Sequence, residues 1–301
     1  MGQRESQNIC GTSANKATDN NEELKLMEHY LPEEILVHIL SYVDAGTLVK
    51  LRFVCHWWKH LIDNEVWRLK VSRENYKSLN SVDPKWKLPW FVYYWICVKD
   101  PFGKNFVKNH CGQDQLISWN MLSDGGHKWI VEDPPEGTDN VPHSEEFDNL
   151  SSCFATSFES CSKEQTIDLL SEGMNSKMMD EFRPIIEVSE WFAGRFDCGS
   201  IYEMECKLLN KKRELVTDFM FREMVPQWEG GMWHQVSHKF QEYGRGVRFI
   251  KFFHHGKDTQ FWAGHYGSKM SGACIKLMIP APYSKSSVST EDESVSEDSL
   301  L

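Results

Sequence analysis

The stretch that decides the N-terminal fold is LPEEILVHILSYVDAGTLVKLRFVCHWW, residues 31–58. Its apolar residues recur at helical spacing over residues 31–43, which predicts one amphipathic helix. Residues 44–46 interrupt this pattern. Thr47 is placed to cap a second helix, which is predicted to run to Trp58.

A third helical piece over residues 61–69 follows, so three short helices lie within about 45 residues. Helices this short cannot each bury their apolar faces against one another. Part of the apolar surface is therefore expected to dock on an obligate protein partner.

After residue 102 the pattern changes to short alternating or aromatic runs separated by Gly, Pro, Asn and Asp. Many short strands with such punctuation predict an antiparallel sandwich or barrel. The fold class expected for the chain is α+β, with a small all-α unit followed by an antiparallel β-sandwich. The predicted strands include residues 129–131, 154–158, 185–188, 200–206, 247–252 and 273–278.

Changes in composition along the chain give the expected domain boundaries. Residues 1–24 are polar and predicted to be a disordered arm, and residues 281–301 are predicted to be a disordered, acidic, Ser-rich tail. The helical unit is assigned to residues 25–75 and the sandwich to residues 101–280. Prolines and aromatic residues in the intervening linker, residues 76–100, predict an ordered connection.

Composition also excludes several classes of function. The 44 acidic and 33 basic residues give a net charge of −11, the wrong sign for a protein that binds nucleic acid. No apolar stretch approaches the roughly 18 residues that span a bilayer, and the polar start has no signal-peptide core, so a cytoplasmic protein is expected. The nine Cys include no Cys-x-x-Cys pair, which predicts reduced thiols, no structural metal and no cofactor.

The helical segment resembles an F-box. It has the Leu-Pro-x-Glu start, a Val-Cys-x-x-Trp helix and a trailing Leu-Trp pattern that mark that family. The resemblance implies docking on the adaptor Skp1, which links an F-box protein to a cullin–RING ubiquitin ligase. The alternative for several of these positions is the internal core of the helices. The residues implied to form or support the docking face are Leu31, Pro32, Ile35, Leu36, Ile39, Leu40, Val54, Cys55 and Trp58.

The second region resembles the F-box-associated domain of the sugar-recognising F-box proteins, a jelly-roll-like β-sandwich. The resemblance spans about residues 100–280, and the segment Asp-Thr-Gln-Phe-Trp-Ala-Gly-His-Tyr-Gly at residues 258–267 carries it most clearly. Other members read Tyr-Trp-Lys where this chain has Phe-Trp-Ala at residues 261–263. The aromatic pair survives, whereas a phenol hydroxyl and a cation are lost.

The side chains of this region also suit a sugar on chemical grounds. A pyranose has an apolar face of C–H groups and a polar rim, so proteins bind it with a stacked aromatic ring and with hydrogen-bond acceptors. Phe261 and Trp262 can form that platform. The resemblance implies that Phe158 completes it and that Asp197 accepts hydrogen bonds from the sugar. The alternatives are that the aromatic residues belong to the core and that Asp197 pairs with nearby Arg195 in a solvated turn.

Two further motifs suggest lipidation and catalysis. Met1-Gly2-x-x-x-Ser6 fits N-myristoylation at Gly2, and Cys10 offers a site for palmitoylation, so the chain is expected to associate with membranes through its N-terminus. Neighbouring His110 and Cys111 suggest a hydrolase, but sequence alone does not bring the pair together with an orienting group.

The two family resemblances imply a non-catalytic substrate-recognition subunit of a Skp1–cullin–F-box ubiquitin ligase. Its sandwich is expected to bind N-linked high-mannose or chitobiose glycans on glycoproteins, in the quality control of misfolded proteins or at damaged endolysosomes. Three alternatives stay open: an F-box adaptor whose sandwich binds a protein degron, a Cys/His hydrolase, and a holder of misfolded glycoproteins that assembles no ligase.

Overall fold

Four short helices form the N-terminal part of the chain. The computed structural model describes residues 25–26 and 29–283. A pair of two-residue strands, β1 (Lys25–Leu26) and β2 (His29–Tyr30), precedes the helices, and five π-helical residues connect the last two. The helices are α1 (Glu33–Leu40), α2 (Ala45–Leu51), α3 (His56–Leu61) and α4 (Trp67–Glu74).

The prediction of one helix from Thr47 to Trp58 is wrong, because the chain forms two helices there. After α2 the amides of Phe53 and Val54 bond to carbonyls three residues back, so the helix tightens into a turn and ends. Cys55 is fully extended, and its thiol accepts a hydrogen bond from the Trp58 amide at 3.4 Å, which caps α3.

Asp44, and not Thr47, caps α2. The Asp44 carboxylate accepts a hydrogen bond from the Thr47 amide at 2.9 Å. Thr47 therefore lies in the first turn of the helix, where its amide needs a partner that precedes it in the chain. Hydrogen bonding to the Thr47 side chain, and then to the Thr47 amide, lowers the pKa of the Asp44 carboxyl.

The linker holds a fifth helix, α5 (Trp90–Lys99), which packs on both parts of the chain. The Arg52 guanidinium lies 3.5 Å from the centroid of the Trp90 ring, and on the other side the Lys177 ammonium lies 4.6 Å from the Phe91 ring. Buried apolar residues continue without a break from the helices through α5 into the sandwich. The helical part is thus held against the sandwich by a shared core.

Two five-stranded antiparallel sheets pack face to face in the C-terminal part. The first has the order β10-β7-β12-β5-β4 and the second the order β3-β6-β11-β8-β9. This architecture confirms the predicted fold class, an all-α unit followed by an antiparallel β-sandwich. The strands are β3 (Asn120–Asp124), β4 (Ile130–Glu132), β5 (Cys153–Ala155), β6 (Cys161–Asp168), β7 (Ile185–Ala193), β8 (Ser200–Asn210), β9 (Leu215–Val225), β10 (His234–Phe240), β11 (Val247–Asp258) and β12 (Lys269–Met278).

Ionisable groups lie between the sheets as well as apolar ones. Glu190 of β7 is fully buried and bonds to two residues of the opposite sheet, the Tyr202 hydroxyl at 2.6 Å and His254 Nδ1 at 2.7 Å. His254 also stacks on the Trp119 ring, with 4.6 Å between centroids. Burial lowers the pKa of His254 to about 4. The imidazole is therefore neutral at pH 7, and this network joins the two sheets through their core.

The strands converge in a way that places three loops at one end of the sandwich. β11 is central in its sheet, and its last residues pair with the start of β8 and the start of β6. The residues that precede and follow these strand ends must therefore lie close together. The loops are residues 156–160 after β5, 194–199 after β7 and 259–268 after β11.

Candidate functional site

Backbone hydrogen bonds join the three loops. The Asp258 amide donates to the Ser157 carbonyl at 3.0 Å, and the Thr259 amide donates to the Gly199 carbonyl at 2.9 Å. The Ser157 hydroxyl donates to the Gly264 carbonyl at 2.7 Å and accepts from the His127 amide at 2.9 Å. Side chains from positions more than 100 residues apart in sequence therefore share one surface.

The Asp258 carboxylate holds the turn that carries the predicted aromatic pair. It accepts hydrogen bonds from three successive amides, those of Gln260 at 3.1 Å, Phe261 at 2.6 Å and Trp262 at 3.1 Å. Asp258 itself is buried, whereas Phe261 adopts a left-handed backbone conformation with φ of 59°. The turn is thus fixed from below, and both rings project into solvent, with Phe261 69% and Trp262 39% exposed.

The structure brings the predicted aromatic residues to the same surface. The rings of Phe158 and Phe261 are in tilted contact, with 5.2 Å between centroids, and His127 lies edge-on to Phe158 at 5.4 Å. Trp262 contacts Tyr266 edge to face at 5.6 Å. The aromatic surface therefore has two neighbouring parts, a Phe pair and a Trp–Tyr pair, which the single turn after Asp258 connects.

Asp197 is paired with Arg195. Two hydrogen bonds run from the guanidinium, Nε to Oδ1 at 3.0 Å and Nη2 to Oδ2 at 3.3 Å. These bonds lower the pKa of the Asp197 carboxyl and raise that of the Arg195 guanidinium. Asp197 is therefore an ionised acceptor at neutral pH, and each oxygen has one Arg195 hydrogen bond and a further lone pair.

Arg195 connects this carboxylate to the aromatic surface. Its guanidinium lies 4.5 Å from the centroid of the Tyr266 ring, and Tyr266 in turn contacts Trp262. A Cβ added to Gly264 would lie 2.6 Å from the Tyr266 ring, so this position requires glycine for space as well as for its φ of 137°. Acceptor and platform thus form one connected unit.

A buried ion pair lies close to this unit. The Lys269 ammonium and the Glu132 carboxylate pair within the sandwich, and Glu132 also accepts a hydrogen bond from the Glu136 amide at 2.8 Å. After the Arg195 hydrogen bonds, the positive charge of Lys269 contributes a smaller share to the low pKa of Asp197.

The sequence argument missed Arg195, Tyr266 and Asp258 as parts of this surface. Each had a local signal. Arg195 stands two residues before Asp197, the spacing of a bidentate turn, and Asp258 precedes the aromatic pair by the three to four residues that an Asx turn spans. Tyr266 follows Gly264 in a stretch of loop composition.

The residues predicted to contact Skp1 divide between the surface and the core of the helices. Leu36 is 4% exposed and packs inside with Leu40, whereas Ile35 is 49% exposed and lies outward with Ile39. In each of these two neighbouring pairs on α1, the second residue is therefore buried in the core and the first is exposed. The remaining predicted residues are exposed or half-buried, namely Leu31, Pro32, Val54, Cys55 and Trp58.

Sequence reasoning also missed two exposed aromatic residues on this helical surface, Tyr42 and Phe53. Phe53 lies in the turn between α2 and α3, next to the exposed Val54. Ile35, Ile39, Tyr42, Phe53 and Val54 are all exposed, and this set of side chains, a candidate for a protein-binding surface, is called the helical face below.

The neighbouring His110 and Cys111 do not form a catalytic pair in the described geometry. The Cys111 thiol is buried and contacts the carbonyls of Glu146 and Phe147 at 4.0 Å, and burial raises its pKa. The His110 Nε2 lies 3.4 Å from Asp148. A thiol with a raised pKa and no basic partner is a poor nucleophile.

Other features of the described residues add little to the site. A groove of about 1280 Å³ is lined largely by residues 140–151, away from the aromatic surface. Within the described ranges, no group of three or more His, Cys, Asp or Glu side chains is placed to hold a metal ion. In the same part of the chain, no helix is long and apolar enough to cross a membrane. The lipidation sites predicted at Gly2 and Cys10 lie outside the described residues.

Comparison with protein families decides the classification. The model of the F-box associated region matches residues 97–277, and an F-box-like model matches residues 29–71. The chain is an F-box protein with an F-box associated region. It is 38% identical to F-box only protein 6 from Bos taurus, over 82% of this chain and 91% of that protein.

Further relatives of this F-box protein support the same classification. F-box only protein 6 from Homo sapiens is 35% identical over 81% of this chain and 82% of the relative. F-box only protein 27 from Mus musculus is 32% identical over 83% of this chain and 90% of the relative. These matches confirm the family that the sequence motifs indicate.

Proposed function

We propose that this F-box protein is the substrate-recognition subunit of a Skp1–cullin–F-box ubiquitin ligase and that its sandwich binds N-linked glycans. The observation that carries the proposal is the exposed Phe261–Trp262 turn, which the buried Asp258 fixes beside the ionised Asp197. An apolar ring next to a charged acceptor suits the C–H face and the polar rim of a pyranose.

In the proposed complex, Trp262 stacks on the C–H face of one sugar of the chitobiose core. Phe158 and Phe261 provide a second apolar contact, suited to the methyl group of an acetamide. Asp197 accepts hydrogen bonds from hydroxyl or amide groups through the lone pairs that Arg195 leaves free. Chitobiose is the core of every N-linked glycan, so N-glycosylated proteins, high-mannose glycoproteins among them, are the proposed substrates.

Ala263 limits the interactions that this site can make with a sugar. It lies beside Trp262 and supplies neither a charge nor a hydrogen bond from its side chain. Recognition therefore depends on stacking and on Asp197 rather than on a cation at this position. A shallow site of this kind gives micromolar to millimolar affinity, of order −4 to −8 kcal/mol.

The helical face is the proposed site for Skp1. Its side chains are apolar, and no other described residue covers them. Through Skp1 the chain would join a cullin–RING scaffold, with the F-box at residues 25–75 and the glycan-binding domain at residues 101–280. The contribution to ubiquitin transfer is proximity, since the bound substrate is held near the charged conjugating enzyme.

The cellular setting is part of the proposal. N-glycans meet a cytoplasmic reader after retrotranslocation of misfolded glycoproteins or after rupture of endolysosomes. Acylation at Gly2, with Cys10 as the second anchor, would favour the membrane setting. If Gly2→Ala leaves membrane fractionation of the full chain unchanged, the acylation part fails and the glycan-binding part is untouched.

Binding of the full chain to an immobilised high-mannose glycoprotein tests the proposal. Trp262→Ala should weaken retention by about tenfold or more, and free chitobiose should compete with the wild type. Trp86→Ala is the matched control, because Trp86 is 40% exposed, like Trp262, but lies on the linker. Equal retention of the glycoprotein after enzymatic removal of its glycans would contradict glycan binding.

A protein degron is the second candidate ligand, and Ala263 favours it. Without a cation beside Trp262, the turn is as apolar as a typical anchor at a protein interface. This candidate predicts that deglycosylated substrate is retained, that Trp262→Ala abolishes its retention, and that chitobiose does not compete. The same column experiment therefore separates the two.

A further inference from the structure

β9 is an open edge of the second sheet. Among the described residues it has one strand neighbour, β8, and its other side faces no strand. The strand is eleven residues long, and the pairing with β8 is regular from Thr217 to Val225. A long, regular, unpaired edge offers a row of backbone donors and acceptors to another strand.

This edge lacks several of the features that usually prevent strand addition, although it carries the charged residues Asp218, Arg222 and Glu223. Residues 215–225 read LVTDFMFREMV and contain no Pro and no Lys, and the only shift in register lies at the Leu215 end. Outward side chains include Met220, 66% exposed, and Met224, also exposed. The edge therefore presents exposed apolar side chains along a strand whose pairing with β8 is regular.

The two faces of β9 are fixed by packing. Phe219 stacks on His238 of the opposite sheet at 4.2 Å between centroids, and Phe221 contacts Phe192 at 5.8 Å. The even-numbered residues between and beside them therefore face outward. A partner strand that continues the sheet must place its own outward side chains on this same face, because a shift of one residue would turn them inward.

We infer that β9 pairs with β9 of a second copy of the chain, antiparallel and centred on Met220. In this register Asp218 of each copy lies opposite Arg222 of the other, and Val216 lies opposite Met224. Two opposite-charge pairs and two apolar pairs then flank a Met220–Met220 contact on the two-fold axis. The strand is complementary to itself.

Neighbouring registers lack this complementarity. A shift of the axis to residue 219 or 221 places each charged side chain opposite an apolar residue. A shift to residue 222 places Arg222 opposite its own copy. Like charges directly opposite each other destabilise a strand pair, and charges opposite methionines gain nothing, so the charge pattern selects Met220 as the centre.

Pairing of this kind makes one ten-stranded sheet from two five-stranded ones and removes the open edge. Because the interface is one strand wide, it falls in the class of small, transient interfaces. The inference does not rest on glycan binding. If the proposed function also holds, the dimer carries two glycan sites, and bivalent attachment to one surface would strengthen weak single-site binding.

Charge reversal in the full chain tests the inference by sedimentation equilibrium at about 1 to 100 µM, the range of a weak interface. Asp218→Arg and Arg222→Asp should each weaken self-association by about tenfold or more, because each creates two like-charge contacts. Lys85→Asp, an equally drastic change at an exposed linker residue, should have no effect.

Mixing the two variants gives the sharper result. In a mixed pair each introduced charge faces its opposite on the other chain, so the mixture should associate as the wild type does, and so should a chain with both substitutions. This rescue separates β9 from the helical face, which the substitutions leave intact, and from the loss of the Arg222–Glu203 pair at 3.1 Å within each chain.

Met220→Lys provides an independent variant, because it places two ammonium groups on the two-fold axis and should also give monomers. Thermal unfolding of each variant controls for folding. A wild type that is monomeric throughout the concentration range, or a mixture no more associated than either variant alone, would overturn the inference. The edge would then be covered by another segment of the chain or by a different protein.

Discussion

The helical part and the sandwich treat apolar and ionisable side chains in opposite ways. The helices leave Ile35, Ile39 and Phe53 in solvent, whereas the sandwich buries Glu190, Lys163 and His254 between its sheets. The first arrangement is incomplete without a partner, because exposed apolar area is stabilised only when another surface covers it. The second keeps ionisable groups inside the fold, where Glu190 bonds to Tyr202 and His254. The Lys163 ammonium has no hydrogen-bond partner among the described residues and lies over the Phe154 ring.

This difference separates two kinds of recognition. The helical face presents a broad apolar area, which suits a large protein interface. The loop end of the sandwich presents few side chains, each held by a specific contact such as those of Asp258 and Arg195. Substitutions on the first surface should act through lost area, and those on the second through lost geometry.

The largest expected effect comes from two adjacent residues of α1. Ile35→Asp should reduce Skp1 capture by about a hundredfold or more, because it places a charge among the exposed apolar side chains of the helical face. Its folding should change little, because Ile35 is 49% exposed. The measurement is Skp1 co-purification beside thermal unfolding.

Leu36→Ala is the matched partner of that substitution. It should cost about 2 to 5 kcal/mol of unfolding free energy, since Leu36 is buried in the helical core. If both variants lose Skp1 capture only in proportion to their loss of folding stability, Ile35 does not contact Skp1 differently from the core residue Leu36.

The next effect concerns Asp258, the anchor of the aromatic turn. Asp258→Ala leaves three amides without their acceptor and should weaken glycan retention by about tenfold or more, at a cost in stability of about 1 to 3 kcal/mol. Asp258→Asn keeps one acceptor oxygen and should recover part of the binding. If Asp258→Ala binds glycoprotein as well as the wild type, the turn does not position the platform.

A smaller effect is expected for Arg195→Lys. The ammonium keeps the charge but not the bidentate geometry with Asp197 or the planar contact with Tyr266, so affinity should fall about three- to tenfold while the fold persists. Tyr266→Leu should have a comparable effect. A double variant that loses less than the sum of the two would show that the residues act together.

The last effect is a pH dependence of stability from the core of the sandwich. His254 has a pKa of about 4 in the fold, below its ordinary 6.5, because burial disfavours the imidazolium. Between these values the unfolded chain binds a proton that the folded chain does not, so the free energy of unfolding should decrease as pH falls from 6.5 to 4 and level off above neutrality.

His254→Gln removes this titration and should flatten the decline, as measured by urea unfolding at pH 7 and pH 5. The slope will not vanish, since burial also lowers the pKa values of His110 and His255. If the unfolding free energy falls as steeply between pH 7 and pH 5 in His254→Gln as in the wild type, His254 does not contribute to the pH dependence of stability.

Local patterns predicted the order of the parts well. Each of the six predicted strands overlaps an observed one, although the strand expected over residues 154–158 ends at Ala155 and the rest forms the loop of Phe158. Of the sandwich strands that were missed, β3, β6 and β10 are rich in polar residues, which blurs the alternation that marks a strand. In β9 the consecutive apolar residues 219–221 interrupt the alternation instead. The two-residue strands β1 and β2 were also missed.

The candidate site was predicted in part. Phe158, Asp197, Phe261 and Trp262 were chosen by resemblance and chemistry, and the structure places Phe158 against Phe261. It also shows the ion pair between Asp197 and Arg195 that was the alternative prediction for Asp197. That pair leaves an ionised acceptor in place, so the two readings of Asp197 are compatible.

The spacing of apolar residues along the chain was enough to predict a helical unit followed by a strand-rich region, because spacing along the backbone decides which side chains share a face. It also predicted that the short helices carry more apolar surface than they can bury against one another. Tertiary structure alone decided that Leu36 is core while Ile35 is surface, and that Asp258, Arg195 and Tyr266 hold the aromatic turn. These contacts join residues from different strands and loops, and local spacing carries no information about which strands become neighbours.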